Sequence, residues 1–315
     1  MSERLHKWIQ QFQEWIVFAF IFVISIVIIR VLEDKPPFKT IVQALTSSEF
    51  IGTLQDLSIL AAVILYFRET PARKKQAQYE AWRVINSAYG QRASGGRIQA
   101  LQDLNNEGVS LAGLTADKAY LAGINLKRSD LRDANLQGTN LKNACLEEID
   151  LRNANLQGAD LRYANLQSAN LRNAHLEGQT TNLSYSNFQD AYLSHANLQS
   201  AYLWSANLQG ADLSYANLQE ADLSYANLQG ANLKYANLQG ADLSPTNLDQ
   251  ANFQAADLYN ADLREAQNLQ LEQIKLAKNW EYARYDEALR MQLGLPKFMP
   301  ETETPAPENI SRTEN

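Results

Sequence analysis

Leucine recurs at every fifth position along much of this chain, and this spacing restricts the fold more than any other feature. The period holds over Leu121–Leu176, shifts by two residues at 179–181, and continues over Leu183–Leu263. Alanine usually stands two positions before the leucine, and Asn or Asp stands between them, so the unit reads A-(N/D)-L-x-x. Phe188 and Phe253 replace leucine in two units.

A five-residue period fits neither regular secondary structure. An α-helix would distribute these leucines around its circumference, and a flat strand would place successive leucines on opposite faces. The pattern does fit a coil that turns a corner every five residues, with leucine and alanine pointing inward. Stacked coils would pair their backbones at about 4.8 Å, and a fixed short repeat indicates a solenoid.

The units closely resemble the A(D/N)LXX motif of the pentapeptide-repeat family, from near Leu111 to Leu263. This resemblance implies an all-β solenoid, a right-handed quadrilateral β-helix, which we assign to residues 111–265. The apolar N-terminal segments and the linker YEAWRVINSAYG also resemble membrane-anchored cyanobacterial pentapeptide-repeat proteins.

Two apolar segments near the N-terminus predict a membrane anchor. Trp15–Ile29 carries no charge, and no small-residue cleavage site follows it, which argues against a signal peptide. Phe50–Phe67 contains one acid, Asp56, close enough to one end to reach water; an interfacial helix is the alternative for this segment. We therefore predict that residues 1–70 contain two transmembrane helices, near 12–32 and 50–67.

Basic residues predict the orientation of this anchor. Arg68, Arg73, Lys74 and Lys75 follow the second apolar segment, and the positive-inside rule then favours a hairpin with both ends in the cytoplasm. The expected protein is a multi-pass integral membrane protein with a cytoplasmic repeat domain. If the second segment does not cross, the repeat domain lies on the other side.

Helical segments are expected on both sides of the repeat. Residues 71–110 read as a helical connector and N-terminal cap, with a short helix near Arg97–Leu104. Residues 266–295 read as a C-terminal helical cap through which the chain could also self-associate. A solenoid needs such caps because its ends expose strand edges and apolar surface. Residues 296–315 have the composition of a disordered tail.

The outer surface offers one candidate site for a partner. If the two-residue insertion bulges outward, four aromatic residues stack along one edge: Tyr163, Tyr185, Trp204 and Tyr225. Exposed aromatic residues in a stripe can mark a protein-binding site, although such rings can also pack over the corners and shield the backbone. Asp222, Asp242 and Asp262 should stack on one face of the acidic C-terminal half, where they either attract a basic partner or form a solvated face.

Several functional classes are disfavoured. The net charge of −7 provides no general attraction to nucleic acid, and Cys145 is the only cysteine. The three histidines have no metal-ligand spacing, and there is no G-x-S-x-G, P-loop or H-E-x-x-H motif. We therefore expect no catalytic residues, no cofactor and no metal site, and the chain is not predicted to be an enzyme.

The favoured function is a membrane-anchored scaffold or protein–protein interaction module. Its expected partners are the lipid bilayer and an unidentified protein, with no nucleic acid. Some members of the family that the chain resembles are DNA mimics that bind DNA gyrase, so a modulator of a type II topoisomerase is one alternative. A membrane-associated sensor or regulator is the second alternative.

Overall fold

The computed structural model describes residues 74–86 and 96–296. The chain divides into two compact units, Met1–Gln78 and Tyr79–Asn315, and the repeat belongs to the second. The predicted transmembrane helices and the tail beyond residue 296 lie outside the described residues. Within the described ranges, no helix is both long and apolar enough to cross a membrane.

The repeats form a solenoid of stacked coils joined by parallel backbone bridges. Each bridge joins the Asn/Asp position of one unit to its counterpart in the next coil, for example Asn207 to Asn227, twenty residues later. Every five-residue unit contributes one bridge, so a coil has four sides. We number these sides faces 1 to 4 after the bridging residues of one coil, which are, in order, Tyr202, Asn207, Asp212 and Asn217.

Leucine and alanine side chains fill the interior of the solenoid. On face 2, Leu208 is fully buried and Ala206 is 1% exposed. Phe188 and Phe253 stand at leucine positions and are equally buried. Large and small inward residues alternate along each unit, as close packing in a narrow interior requires. The continuous column of these side chains is the hydrophobic core.

Each unit ends in a tight turn built from its last two residues, the first and second turn positions. The N–H of the following alanine donates to the leucine C=O, as from Ala206 to Leu203 at 2.9 Å. The second turn position has a positive φ in nearly every unit. A turn with positive φ only at its third residue is a type II turn, which glycine adopts with the least strain. Pro245 departs from this rule because its ring holds φ near about −65°.

The Asn or Asp of each unit stabilises this turn. The Oδ1 of Asn207 accepts a hydrogen bond from the N–H of Gln209 at 3.2 Å, and the same contact recurs along the solenoid. Asn and Asp both supply this oxygen, which explains why the repeat accepts either residue. On face 2 the amide nitrogens also donate to the preceding coil and form an asparagine ladder: Asn165, Asn187, Asn207, Asn227, Asn247 and Asn268.

The two-residue insertion is accommodated at the corner between faces 4 and 1. Asp160 pairs with Asn182 rather than with the residue twenty positions later, while Gln179 and Thr180 are exposed. The buried hydroxyl of Thr181 accepts the N–H of Gly158 at 2.7 Å and donates to a backbone carbonyl at 2.9 Å. This side chain therefore replaces a backbone contact that the bulge interrupts, and the stack continues in register.

Within the second unit, side chains from two helices cover the first coil. Helix α1 comprises the described residues 74–86, and helix α2 comprises Arg97–Asn106, preceded by Gly96 with φ 83°. Ile85 of α1 and the buried side of α2, which carries Leu101 and Leu104, join the core cluster of the repeat. The first coil is therefore covered by apolar side chains instead of facing water.

The C-terminal end differs from the continuous helical cap expected from the sequence. It contains helix α3 (Leu271–Lys275), a 3-10 turn (Trp280–Tyr282) and helix α4 (Glu287–Gln292). The backbone makes one more bridge before α3, from Asn247 to Gln267, and two more between the helical segments, from Asp257 to Lys278 and from Asp262 to Arg284. The segment is thus an irregular final coil. One long helix would use its N–H groups internally and leave the carbonyls of the last regular coil without donors.

Candidate interaction surface

Aromatic side chains concentrate at two diagonally opposite corners of the solenoid. The second turn positions that follow faces 1 and 3 include Tyr185, Tyr215, Tyr225 and Tyr235, whereas those that follow faces 2 and 4 include Gly210, Gly230 and Gly240. Two corners therefore carry projecting rings, and the second turn positions of the other two corners carry no aromatic residue.

The structure brings together all four aromatic residues singled out in the sequence, which we call the first aromatic ladder. Tyr163 stacks on Tyr185 with ring centroids 4.8 Å apart and planes 6° from parallel. Trp204 meets Tyr185 edge-on at 4.7 Å and Tyr225 at 5.8 Å. These separations are within the range of favourable aromatic pairs. The insertion makes this contact possible because Tyr163 and Tyr185 are 22 residues apart in sequence but adjacent in the stack.

Trp204 joins the ladder from a different position in its unit. It occupies the first turn position, while Ser205 holds the second. Its indole bridges the rings of the coils below and above, and it is half-buried between them. The tryptophan thus fills the gap that a serine would otherwise leave in the row of rings.

The tyrosines of this ladder remain accessible to a partner. Tyr163 is 50% exposed, Tyr185 43% and Tyr225 60%. Each has a φ near 60°, a conformation that costs a non-glycine residue about 1–2 kcal/mol. Aromatic stacking stabilises the fold by about 0.5–1.5 kcal/mol per pair, so the backbone strain and the stacking energy roughly cancel. Glycine would serve the fold about as well, and stability alone does not account for tyrosine at these corners.

A second aromatic ladder, which the sequence analysis missed, lies at the corner after face 3. His195 stacks on Tyr215 at 4.9 Å, and Tyr215 stacks on Tyr235 at 4.8 Å. The twenty-residue spacing of these three residues was the available signal, because residues one coil apart stack directly. Lys234 lies over the ring of Tyr235, with its ammonium 5.2 Å from the centroid.

Charges are distributed unevenly along face 1. In the N-terminal half, Asp160 and Arg162 neutralise each other, and the hydrogen bond from the guanidinium lowers the pKa of the Asp160 carboxyl. In the C-terminal half, Asp222, Asp242 and Asp262 stack through consecutive bridges. We call these three carboxylates the acidic ladder.

Only one carboxylate of the acidic ladder has a cationic partner among the described residues. Burial disfavours the charge of Asp262, but hydrogen bonds from Arg264 outweigh it and hold the pKa of that carboxyl below its usual range. Asp222 and Asp242 accept hydrogen bonds from Ser224 and Ser244 instead. Neither carboxylate forms an ion pair within the described residues, although the charge of Asp242 also acts on Arg264 at longer range.

No metal or catalytic centre is evident in residues 74–86 and 96–296. Within these ranges, no group of three or more His, Cys, Asp or Glu side chains is arranged to hold a metal ion. His175 Nδ1 lies 3.6 Å from Oε1 of Glu177 beside the insertion. The predicted absence of catalytic and metal-binding residues remains a prediction for the whole chain.

Comparison with known families decides the identity of the repeat. A profile described as pentapeptide repeats matches in eight copies, over residues 111–147, 146–178, 181–214, 211–246 and 231–267. HetL, a pentapeptide repeat protein involved in heterocyst differentiation regulation from the cyanobacterium Nostoc sp. strain PCC 7120, is 31% identical over 59% of this chain and 93% of its own, with a TM-score of 0.35. The chain belongs to the pentapeptide-repeat family.

The solenoid of this pentapeptide-repeat protein is therefore a right-handed quadrilateral β-helix, as the sequence resemblance implied. The matched segments leave out residues 179–180, where the insertion lies. A pentapeptide repeat protein of the Arabidopsis thaliana thylakoid lumen is 33% identical over 35% of this chain and 71% of its own, with a TM-score of 0.27.

QnrB1, a plasmid-mediated fluoroquinolone resistance protein, is 18% identical over 58% of this chain and 94% of its own, with a TM-score of 0.28. At this identity the likeness concerns the fold alone. A search of curated proteins found no match.

Proposed function

We propose that this pentapeptide-repeat protein is a membrane-anchored scaffold that presents the first aromatic ladder to a protein partner. The observation that carries the proposal is the row of exposed rings at one corner, at turn positions where the fold needs a positive φ but not an aromatic side chain. Tyr and Trp are the residues that most often dominate the energy of protein interfaces. A rigid β-helix fixes their spacing before binding, which reduces the entropy lost on association.

The membrane component of the proposal rests on the sequence. Trp15–Ile29 is uncharged, and Phe50–Phe67 carries one acid near its end. Anchoring would concentrate the solenoid at the bilayer surface and increase the effective concentration of any partner there. Self-association through the C-terminal segment stays a separate prediction.

A DNA-mimicking role is less well supported by the charge pattern. A mimic of duplex DNA requires a continuous anionic surface, whereas Asp130, Asp150 and Asp160 each pair with an arginine two residues later. Unpaired negative charge is confined to part of the solenoid. The sensor or regulator role shares the same binding surface and differs only in what binding triggers.

Removal of two aromatic side chains from the first aromatic ladder is expected to weaken binding of the protein partner strongly. In the full-length chain, Trp204→Ser combined with Tyr225→Ser should reduce crosslinking of the partner in native membranes at least about tenfold, since each lost aromatic anchor costs about 2 kcal/mol or more. The matched control is Tyr215→Ser combined with Tyr235→Ser, which removes two rings of the second aromatic ladder. If crosslinking persists in the first variant and disappears in the control, the partner binds the second aromatic ladder and the proposal is wrong.

The proposed topology places the solenoid in the cytoplasm. We expect a Gln292→Cys substitution in a Cys145→Ser background to be protected from a membrane-impermeant thiol reagent in intact cells, and to be labelled after permeabilisation. Gln292 ends helix α4 and is exposed, so protection cannot be due to burial in the fold. The Cys145→Ser chain alone measures background labelling, and labelling of intact cells would place the solenoid on the opposite side of the membrane.

A further inference from the structure

We propose that the partner engages the first aromatic ladder through a basic, arginine-containing segment, whose guanidinium groups lie over the ring of Tyr225 and beside Asp222 and Asp242. This inference rests on the proposed function and adds the chemical class of the partner. It follows from two features of the same corner: no cation of the described residues lies over the ring of Tyr225, and Asp222 and Asp242 form no ion pair there.

Three exposed tyrosine rings of the solenoid have a cation of the chain itself over them, whereas other exposed tyrosines, such as Tyr215, do not. Lys142 lies 5.7 Å from the ring centroid of Tyr163, and Arg172 lies 5.1 Å from that of Tyr192. Lys234 covers Tyr235 in the same way. A cation over an aromatic face within about 6 Å is attracted by the electron density of the ring. Exposed tyrosine rings of this solenoid therefore already bind basic side chains within one molecule.

The upper part of the first aromatic ladder differs from these sites. Tyr225 is the most exposed tyrosine of either ladder, at 60%, and no cation of the described residues lies over it. Its own unit contributes Asp222, and the unit stacked on it in the next coil contributes Asp242; neither has an ion pair within residues 74–86 and 96–296. An aromatic ring with no cation over it and two carboxylates without an ion pair thus belong to adjacent coils at one corner.

Arginine fits this combination better than lysine. Its planar guanidinium stacks on an aromatic ring and can donate several hydrogen bonds to carboxylates at the same time, whereas an ammonium acts as a compact, strongly hydrated charge. Consecutive coils are about 4.8 Å apart, so a short extended segment spans the rings from Tyr185 to Tyr225. A neutral or acidic partner would leave the acidic ladder uncompensated.

The test measures binding of an octaarginine peptide to the full-length chain in neutral detergent micelles by isothermal titration calorimetry. We expect Tyr225→Ser, which leaves the net charge unchanged, and Asp222→Asn with Asp242→Asn each to weaken binding at least about fivefold. The matched control Tyr235→Ser should change binding less than twofold, because Lys234 already covers that ring. Octalysine should bind more weakly than octaarginine at the same ionic strength. Circular dichroism verifies that each variant is folded.

Three outcomes would overturn the inference. Equal binding of octaarginine to the wild-type chain, Tyr225→Ser and Tyr235→Ser would mean attraction by the net charge of −7 alone. At least tenfold tighter binding to a chain with Arg73→Gln, Lys74→Gln and Lys75→Gln would show that the chain's own basic segment occupies the corner. Loss of partner crosslinking in Trp204→Ser with Tyr225→Ser, without octaarginine binding, would retain the proposed function and reject a basic partner.

Discussion

Phe188→Ala is expected to lower the free energy of unfolding by about 3–5 kcal/mol. Phe188 replaces leucine in the core of face 2 and is among the largest fully buried side chains. Alanine would leave a void of several heavy atoms, and the paired backbones of neighbouring coils restrict its collapse. The N–H of Phe188 donates to the C=O of Asn207 at 2.7 Å, so the backbone there cannot move inward without losing a bridge.

The measurement is urea unfolding of the purified full-length chain, followed by far-ultraviolet circular dichroism. Phe188→Leu is the matched control, because leucine occupies the equivalent core positions Leu166 and Leu208; it should cost less than about 1.5 kcal/mol. Solenoids can unfold in parts, so hydrogen exchange should show the largest loss of protection in the coils beside residue 188. Equal midpoints for Phe188→Ala and Phe188→Leu would show that the core repacks without a cavity.

Asn207→Ala is expected to reduce the free energy of unfolding by about 1–3 kcal/mol. The side chain of Asn207 donates to Oδ1 of Asn187 at 2.9 Å and accepts the amide of Asn227 at 3.2 Å. It also accepts the N–H of Gln209 in its own turn. Alanine removes all three contacts at once and leaves the half-buried amide of Asn227 without its acceptor.

Asn252→Ala provides the control for this prediction. Asn252 occupies the same position of the repeat on face 3, but it is exposed and its amide contact to Asn232 is 3.5 Å long. We expect a change below about 1 kcal/mol there, measured in the same urea titration. If both substitutions have the same effect, the turn contact that they share carries the stability, and the asparagine ladder adds nothing measurable.

The five-residue period predicted a solenoid over residues 111–265, and the resemblance to the pentapeptide-repeat family implied its four-sided coil of twenty residues. Each position of the unit has one local role: alanine and leucine point inward, the Asn/Asp oxygen stabilises a turn, and the last residue adopts a positive φ. Because the coil repeats every twenty residues, the same period also predicted that Tyr185 and Tyr225 lie on one edge. The identity of the partner is not encoded in this period, and the role of the ladder as a binding surface stays a prediction.

The position of Trp204 between two rings could be read only from contacts between coils, because it depends on side-chain direction at a turn. The carboxylates without an ion pair were accessible in the sequence, since the paired aspartates are those with an arginine two residues later. The second aromatic ladder required the twenty-residue register to be applied to every corner.

The sequence alone determined that this protein contains a solenoid, because a period of five is incompatible with any straight helix or strand, and the family resemblance of its units implied a β-helix. Tertiary structure decided how the regular stack tolerates its exceptions. At the insertion, the hydroxyl of Thr181 connects Gly158 to a backbone carbonyl across the bulge. At the C-terminal end, the sequence pattern predicts a helix, but Gln267, Lys278 and Arg284 form backbone bridges with the preceding coil. In both places the deciding factor is the need to satisfy backbone groups of a neighbouring coil, which no local pattern specifies.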